Sequence, residues 1–224
     1  MQNVYVWDFP TRLFHWLLAV SIAFQYISAE LLDDAMQWHF YVGYFILGLV
    51  LFRVIWGFVG HIYSRFNAFI CSPTSTINYL IRSNTYVYLS HNPAGAWSVV
   101  VLLTIIFTQA LSGLFITDDI FLDGPYYSAV SSDVADTANW VHHNIVNALW
   151  VFIGIHLIAV VTYQVKGYGL IQSMLHGKKQ TSDETPSIMP KGIWWKCVLV
   201  ATICFVVVYT LVALLPPEPD LYDY

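Results

Sequence analysis

Five long apolar stretches decide what this chain can become. They cover residues 12–29, 39–59, 97–116, 140–165 and 193–215. No water reaches the hydrocarbon of a bilayer, so a crossing segment must be a helix of about 20 residues that closes its own hydrogen bonds. The intervening segments are polar, proline-bearing or acidic. Each stretch therefore reads as one transmembrane helix. The expected fold is all-α, an integral membrane bundle forming a single domain over residues 1–224. A content of 58% hydrophobic and 10% charged residues excludes an ordinary soluble domain. The first stretch lies where a secretory signal would, but an Arg and an Asp lead into it and no small-residue cleavage site follows, so it is expected to be retained.

Charge orients the helices. Arg12, Arg53, Arg65, Arg82, Lys166, Lys178, Lys179, Lys191 and Lys196 all fall at or near the same alternate helix ends and loops. The positive-inside rule makes that side cytoplasmic. The other side gathers Glu30, Asp33, Asp34, Asp118, Asp119, Asp123, Asp133, Asp136, Glu218, Asp220 and Asp223, without a Lys or Arg. With five spans, the N-terminus lies inside and the C-terminus outside, the periplasm of a Gram-negative host. Trp7, Trp38, Trp97, Trp140, Trp194 and Trp195 lie near the helix ends, where an aromatic belt meets the headgroups. Two inner segments read as short helices on the membrane surface. One is opened by Ser72 and Pro73 and carries Ile77, Leu80 and Ile81; the other spans 169–176, with Lys178 and Lys179 reaching toward lipid phosphates. Cys71, Cys197 and Cys204 form no Cys-x-x-Cys pattern and are expected as free thiols.

An ionisable side chain inside a span is costly and marks a functional position. Four histidines qualify: His15, His39, His142 and His156. His142 and His156 are fourteen residues apart, which returns them to within about 40° of one helix face and separates them by about 21 Å along the axis. That is too far for one metal ion. It suits two haems at different depths, each taking one axial imidazole from this helix. Topology supplies the second ligands. His39 and His142 both stand at outer helix beginnings and are expected to bracket an outer haem. His15, near the inner end of the first helix, is expected to pair with His156, although counting from the helix ends puts His156 a turn or two deeper. His143 points to nearly the opposite side of its helix. His61, His91 and His176 lie in or beside inner loops and read as solvated or interfacial.

Arg53 follows His39 by fourteen residues on the same face. Two roles compete for it: holding a haem propionate, or snorkelling to the inner headgroups. Gly43, Gly48, Gly113 and Gly154 allow close approach of helices or porphyrin, and equally serve ordinary helix packing.

Several runs together resemble the bacterial cytochrome b561 family, including the b-type cytochrome subunits of nickel-iron hydrogenases. They are Arg12-Leu-Phe-His15-Trp16, Trp38-His39 with Gly43 and Arg53, His142 with the step to Gly154-Ile-His156, Arg65-Phe66, Asn92-Pro93-Ala94-Gly95-Ala96-Trp97 and Gly113-Leu114-Phe115. The resemblance covers nearly the whole chain. It implies four helices that bind two b haems through His15, His39, His142 and His156, exchanging electrons with membrane quinone. The fifth helix departs from the four-helix members and holds no histidine, which leaves it packing or partner docking. The redox partner would be a periplasmic c-type cytochrome or an oxidoreductase such as hydrogenase. The acidic face and the tail at 216–224 have two readings, steering of a basic c-type cytochrome and, more simply, solvation of a periplasmic surface. The chain would act as a homodimer or as a subunit of a larger complex. A stand-alone superoxide:quinone oxidoreductase is the alternative within this class. Outside it stand a proton or metal transporter using the same histidines and a structural anchor for a redox complex. No catalytic residue, no nucleic-acid partner and no flavin, nicotinamide or iron-sulfur motif is expected from the sequence.

Overall fold

The computed structural model describes residues 2–81, 88–118, 122–181 and 193–217. Arg82, Asp119, Lys191, Glu218, Asp220 and Asp223, with most of the acidic tail, lie outside the described residues. In chain order the elements are β1 (Gln2–Tyr5), α1 (Phe9–Glu30), α2 (Met36–Val59), α3 (Phe66–Phe69), α4 (Pro73–Ile81), α5 (Pro93–Ser112), α6 (Ser132–Val165), α7 (Leu170–His176), β2 (Lys178–Thr181) and α8 (Ile193–Tyr209), which ends in a π-helical turn at Thr210–Leu214. Five of the helices are long and apolar enough to cross a membrane: α1, α2, α5, α6 and the α8 segment.

Two spans, the third and the fourth, depart most from the sequence reading. The third span starts earlier and stops at Ser112, because Asn92 caps it and Gly113 and Leu114 turn the chain away. Asn92 Oδ1 accepts the Gly95 N–H at 2.7 Å, and Pro93, which has no N–H to satisfy, takes the first helical position. The fourth span begins at Ser132, eight residues before its apolar part, with Asp133 in the first turn. Those opening turns are polar and invisible to a hydropathy argument. His142 therefore stands well inside α6 and does not open it.

The chain divides into two compact units, each built from pieces of the same helices. The first comprises residues 1–16, 53–103 and 151–200; the second comprises 17–52, 104–150 and 201–224. Every described Lys and Arg belongs to the first unit. Of the described Asp and Glu residues, only Asp8 does.

Asp8 organises the first unit. It is 7% exposed, and its carboxylate accepts four hydrogen bonds: from Thr11 N at 2.8 Å, Trp56 Nε1 at 3.0 Å, His61 N at 3.3 Å and Ser64 Oγ at 3.1 Å. The first of these is a helix cap, placing a negative charge at the positive end of α1. The others tie that end to the last turn of α2 and the loop beyond. His61 is accordingly buried, not solvated as its loop position suggested. Trp7 is buried too, edge-on to His91, and so does not belong to the headgroup belt; Trp38, Trp140, Trp194 and Trp195 are all about 60% exposed, as that belt requires.

The two-stranded antiparallel ladder was not anticipated. It pairs Gln2 through Tyr5 with Thr181 through Lys178 and locks the N-terminal residues to the segment after α7. Gly177, at φ +78°, makes the turn: its carbonyl accepts from Val6 N and Trp7 N, and a Cβ there would lie 2.6 Å from the Trp7 carbonyl oxygen. Both segments expected to form short helices do so, as α4 and α7. Ser72 Oγ caps α4 by accepting from Ser75 N, and Ile77, Leu80 and Ile81 are exposed.

In the second unit Leu47, Leu114 and Val208 form a buried cluster, with Tyr44, Phe107, Phe115 and Tyr126 against it. Val208 brings in α8, whose Leu211 carbonyl, within the π-helical turn, accepts from the Tyr126 hydroxyl at 2.7 Å. Packing is thus one role of the fifth helix. The three cysteines are free thiols.

Asp8→Ala would remove the acceptor of four buried hydrogen bonds. We expect it to cost about 3 kcal/mol or more, read as thermal unfolding in detergent. A loss below about 1 kcal/mol would show that the carboxylate is not the organising group.

Candidate functional site: two facing imidazole pairs

In the second unit, the rings of His39 on α2 and His142 on α6 come together with centroids 6.4 Å apart and planes at 68°. Each ring is held from behind. His142 Nδ1 lies 3.0 Å from the Gln109 carbonyl and 3.2 Å from Ser112 Oγ. A carbonyl only accepts, so Nδ1 carries the proton and Nε2 is left with its lone pair. Ser112 Oγ itself donates to the same carbonyl at 3.0 Å. His39 repeats the device: its Nδ1 is 3.2 Å from Ser28 Oγ, which donates to the Gln25 carbonyl at 3.1 Å. Gln25 and Ser28 end α1 as Gln109 and Ser112 end α5, a Gln-x-x-Ser run in both cases. Both glutamine Oε1 atoms are buried without a partner. Sequence reasoning missed these four residues, although the repeated run was there to be read.

In the first unit, the rings of His15 on α1 and His156 on α6 also lie 6.4 Å apart between centroids. The mismatch in depth expected from helix ends does not keep the rings apart, and part of it is taken up because α1 begins earlier than expected, at Phe9. His15 packs edge-on to Trp16, and its Nδ1 is buried without a hydrogen-bond partner.

Arg53 is 3% exposed, which rules out a guanidinium resting among headgroups. Its guanidinium carbon lies 4.8 Å from the Phe66 ring centroid and 6.0 Å from that of Phe69, and Nη1 has no partner. The Phe66 ring fits there because residue 57 is Gly; a Cβ would stand 2.2 Å from it. His91, expected from its loop position to be solvated or interfacial, is instead packed inside the protein. Its ring packs at 4.3 Å on Phe69 and 4.8 Å on Trp7, with Nδ1 shut off from solvent and unpartnered. Burial first, then Arg53 and His156, push its pKa down to about 3, so the ring is neutral at physiological pH. No local pattern announces such a contact, because Trp7 and Phe69 come from distant parts of the chain. His143 and His176 are exposed, and His143 lies outside the pair.

The chemistry of this donor set is specific. Among the described residues, no group of three or more His, Cys, Asp or Glu side chains converges as a metal site. A metal held by protein alone usually takes three or four such ligands. Two opposed imidazoles suit a metal whose remaining ligands come from a planar ring lying between them. With a metal–nitrogen bond of about 2 Å on either side, two such rings stand roughly 6 Å apart between centroids, close to the spacing of both pairs. The glycines agree in part. A Cβ at Gly113 would lie 3.2 Å from His142 Cε1, and one at Gly43 3.2 Å from Gln25 Nε2, while one at Gly154 would meet no protein atom within 4 Å. Gly154 is therefore not explained by helix packing.

Apolar spanning helices that carry opposed imidazole pairs define a membrane protein suited to planar metal cofactors. A sequence profile described as prokaryotic cytochrome b561 matches residues 6–177, well over half of the 224, and the chain belongs to that family. Membership brings b-type haem, a multi-pass membrane location and transmembrane electron transfer. The matched region contains all four histidines and Arg53; α8 lies beyond it. No curated protein and no solved structure matches the chain.

Ser112→Ala leaves the His142 ring with a carbonyl partner only. By the usual weight of such supporting groups, we expect the affinity of the His39/His142 pair for haem to fall about ten- to a hundredfold. A haem titration checks this, and unchanged affinity would show that the hydroxyl does not hold the ring.

Proposed function

We propose that this protein is a di-haem cytochrome b that carries electrons across the bacterial inner membrane, between the quinone pool and a redox partner on the outer side. The observation that carries the reading is that two independent histidine pairs share one 6.4 Å spacing. His15 and His156 would hold one haem, and His39 and His142 the other. Bound there, a b haem supplies reversible one-electron chemistry at its iron.

The chain's own residues do the rest. Gln109 and Ser112 fix the tautomer and plane of His142, and Ser28 does the same for His39. Arg53, permanently charged and with an unfilled donor, suits a propionate carboxylate of the inner group. His91 beside it offers a neutral ring nitrogen that is also unfilled. The apolar helices exclude water and set the polarity around each centre.

Orientation follows from charge: the helix ends and loops that carry the described Lys and Arg residues face the cytoplasm, and the N-terminus with them. Those that carry Glu30, Asp33, Asp34, Asp118, Asp123, Asp133 and Asp136 face the periplasm. That acidic face suits a basic c-type cytochrome, and electrostatic steering of this kind slows with added salt. A rate of electron transfer to a c-type cytochrome that does not respond to salt would argue for another partner, such as a hydrogenase-type oxidoreductase.

The pairing is tested by counting haem. The wild-type chain should bind two, and His142→Ala one, with the remaining centre spectrally unchanged. Arg53→Gln should keep both and lower the potential of the inner centre, because removing a positive charge favours the oxidised state. Retention of two haems by His142→Ala would show that the pairs are assigned wrongly.

A further inference from the structure

The first unit contains a cavity of about 1080 Å³ that the haem-binding role leaves unused. Arg12, Lys166, His176, Lys178 and Lys179 line it. Among the described residues, no Asp or Glu does. Four formal positive charges thus converge on one concavity, with no carboxylate among its described lining residues.

The cavity is built by the fold and is not an accident of flexible side chains. The ladder of β1 with β2 sets Tyr5 against Lys178, whose Nζ lies 5.1 Å from the Tyr5 ring centroid. Lys179 Nζ donates to the Tyr88 carbonyl, and its burial pulls the ammonium pKa below the ordinary value. Arg12 Nη1 donates to the Leu175 carbonyl, while its Nε is buried without a partner. Gly177 lets the Arg12 side chain lie over the turn, its Nε 3.1 Å from where a Cβ would be.

Position selects the ligand. Arg12 stands in the first turn of α1, and Lys166 immediately follows α6, so both belong to the ends of membrane-spanning helices. Beside them Val165 is 83% exposed and Leu175, on the cavity wall, 51% exposed. A basic concavity of this kind, at the end of spans and bordered by bare apolar side chains, matches a phosphate that carries acyl chains.

We propose that this cavity binds the headgroup of an anionic phospholipid, with its phosphate among Arg12, Lys166 and Lys178 and its chains along the neighbouring apolar surface. The site is separate from the imidazole pairs, and its failure would leave the haem assignment untouched.

The test uses the full-length, haem-loaded protein in phosphatidylcholine nanodiscs containing a minority of phosphatidylglycerol, with retained lipid counted by native mass spectrometry. The wild type should retain phosphatidylglycerol in preference to phosphatidylcholine. At about fivefold per lysine, the Lys166→Gln, Lys178→Gln double variant should retain roughly thirtyfold less. The Lys166→Arg, Lys178→Arg variant should keep the lipid, and an unchanged haem spectrum in both shows that they fold. Equal retention by wild type and the Gln variant would overturn the proposal. So would displacement of the lipid by millimolar inorganic phosphate, which would assign the cavity to a free phosphate compound.

Discussion

An imidazole inside an apolar helix has two nitrogens to satisfy and no water to do it. The protein meets half of that demand itself at His142, where the Gln109 carbonyl takes the Nδ1 proton and leaves Nε2 as a donor of electrons. It meets the same half at His39 through Ser28. The other half is left beside a second imidazole, with ring centroids 6.4 Å apart, a spacing that suits a metal held between two such rings. The helix contacts around the His39/His142 pair follow from this requirement. Ser28 and Ser112 occupy the ends of α1 and α5 because only there do their hydroxyls reach the rings. Gly113 follows Ser112 because a side chain would press on His142.

Buried charge is the second constraint, and it falls on the first unit. Arg53 is enclosed by aromatic rings, which attract a cation but do not fill its hydrogen-bonding sites. Asp8 is enclosed with four donors and is fully satisfied. The contrast is informative: the carboxylate needs nothing more, whereas the guanidinium keeps a free donor, as a residue awaiting an anionic group would.

Much of this was legible from the sequence, and the part that was not has physical reasons. Helix count and the four histidines followed from length, hydropathy and the return of His142 and His156 to one face after fourteen residues. The fourth helix was started late because its first turns, from Ser132 onward, are polar yet helical. His61 and His91 were misplaced as solvated because their environment comes from Asp8, Trp7 and Phe69, which are far from them or unmarked in the sequence. The Asn92-Pro93 and Arg65-Phe66 runs carried family resemblance without a stated mechanism. The structure gives them one: a helix cap in the first, and in the second a ring beneath Arg53 with the Arg65 Nε donating to the Gly60 carbonyl at 2.9 Å. The β1 and β2 ladder could not be read, being four residues on each side with no alternating pattern.

The central claim is that each opposed imidazole pair grips one iron porphyrin from both faces. Electron paramagnetic resonance of the oxidised, purified protein tests it directly, because two strong-field imidazoles leave ferric iron low-spin. The account predicts two low-spin ferric signals of equal integrated intensity. A high-spin ferric signal from the freshly isolated protein, or a single centre, would contradict it.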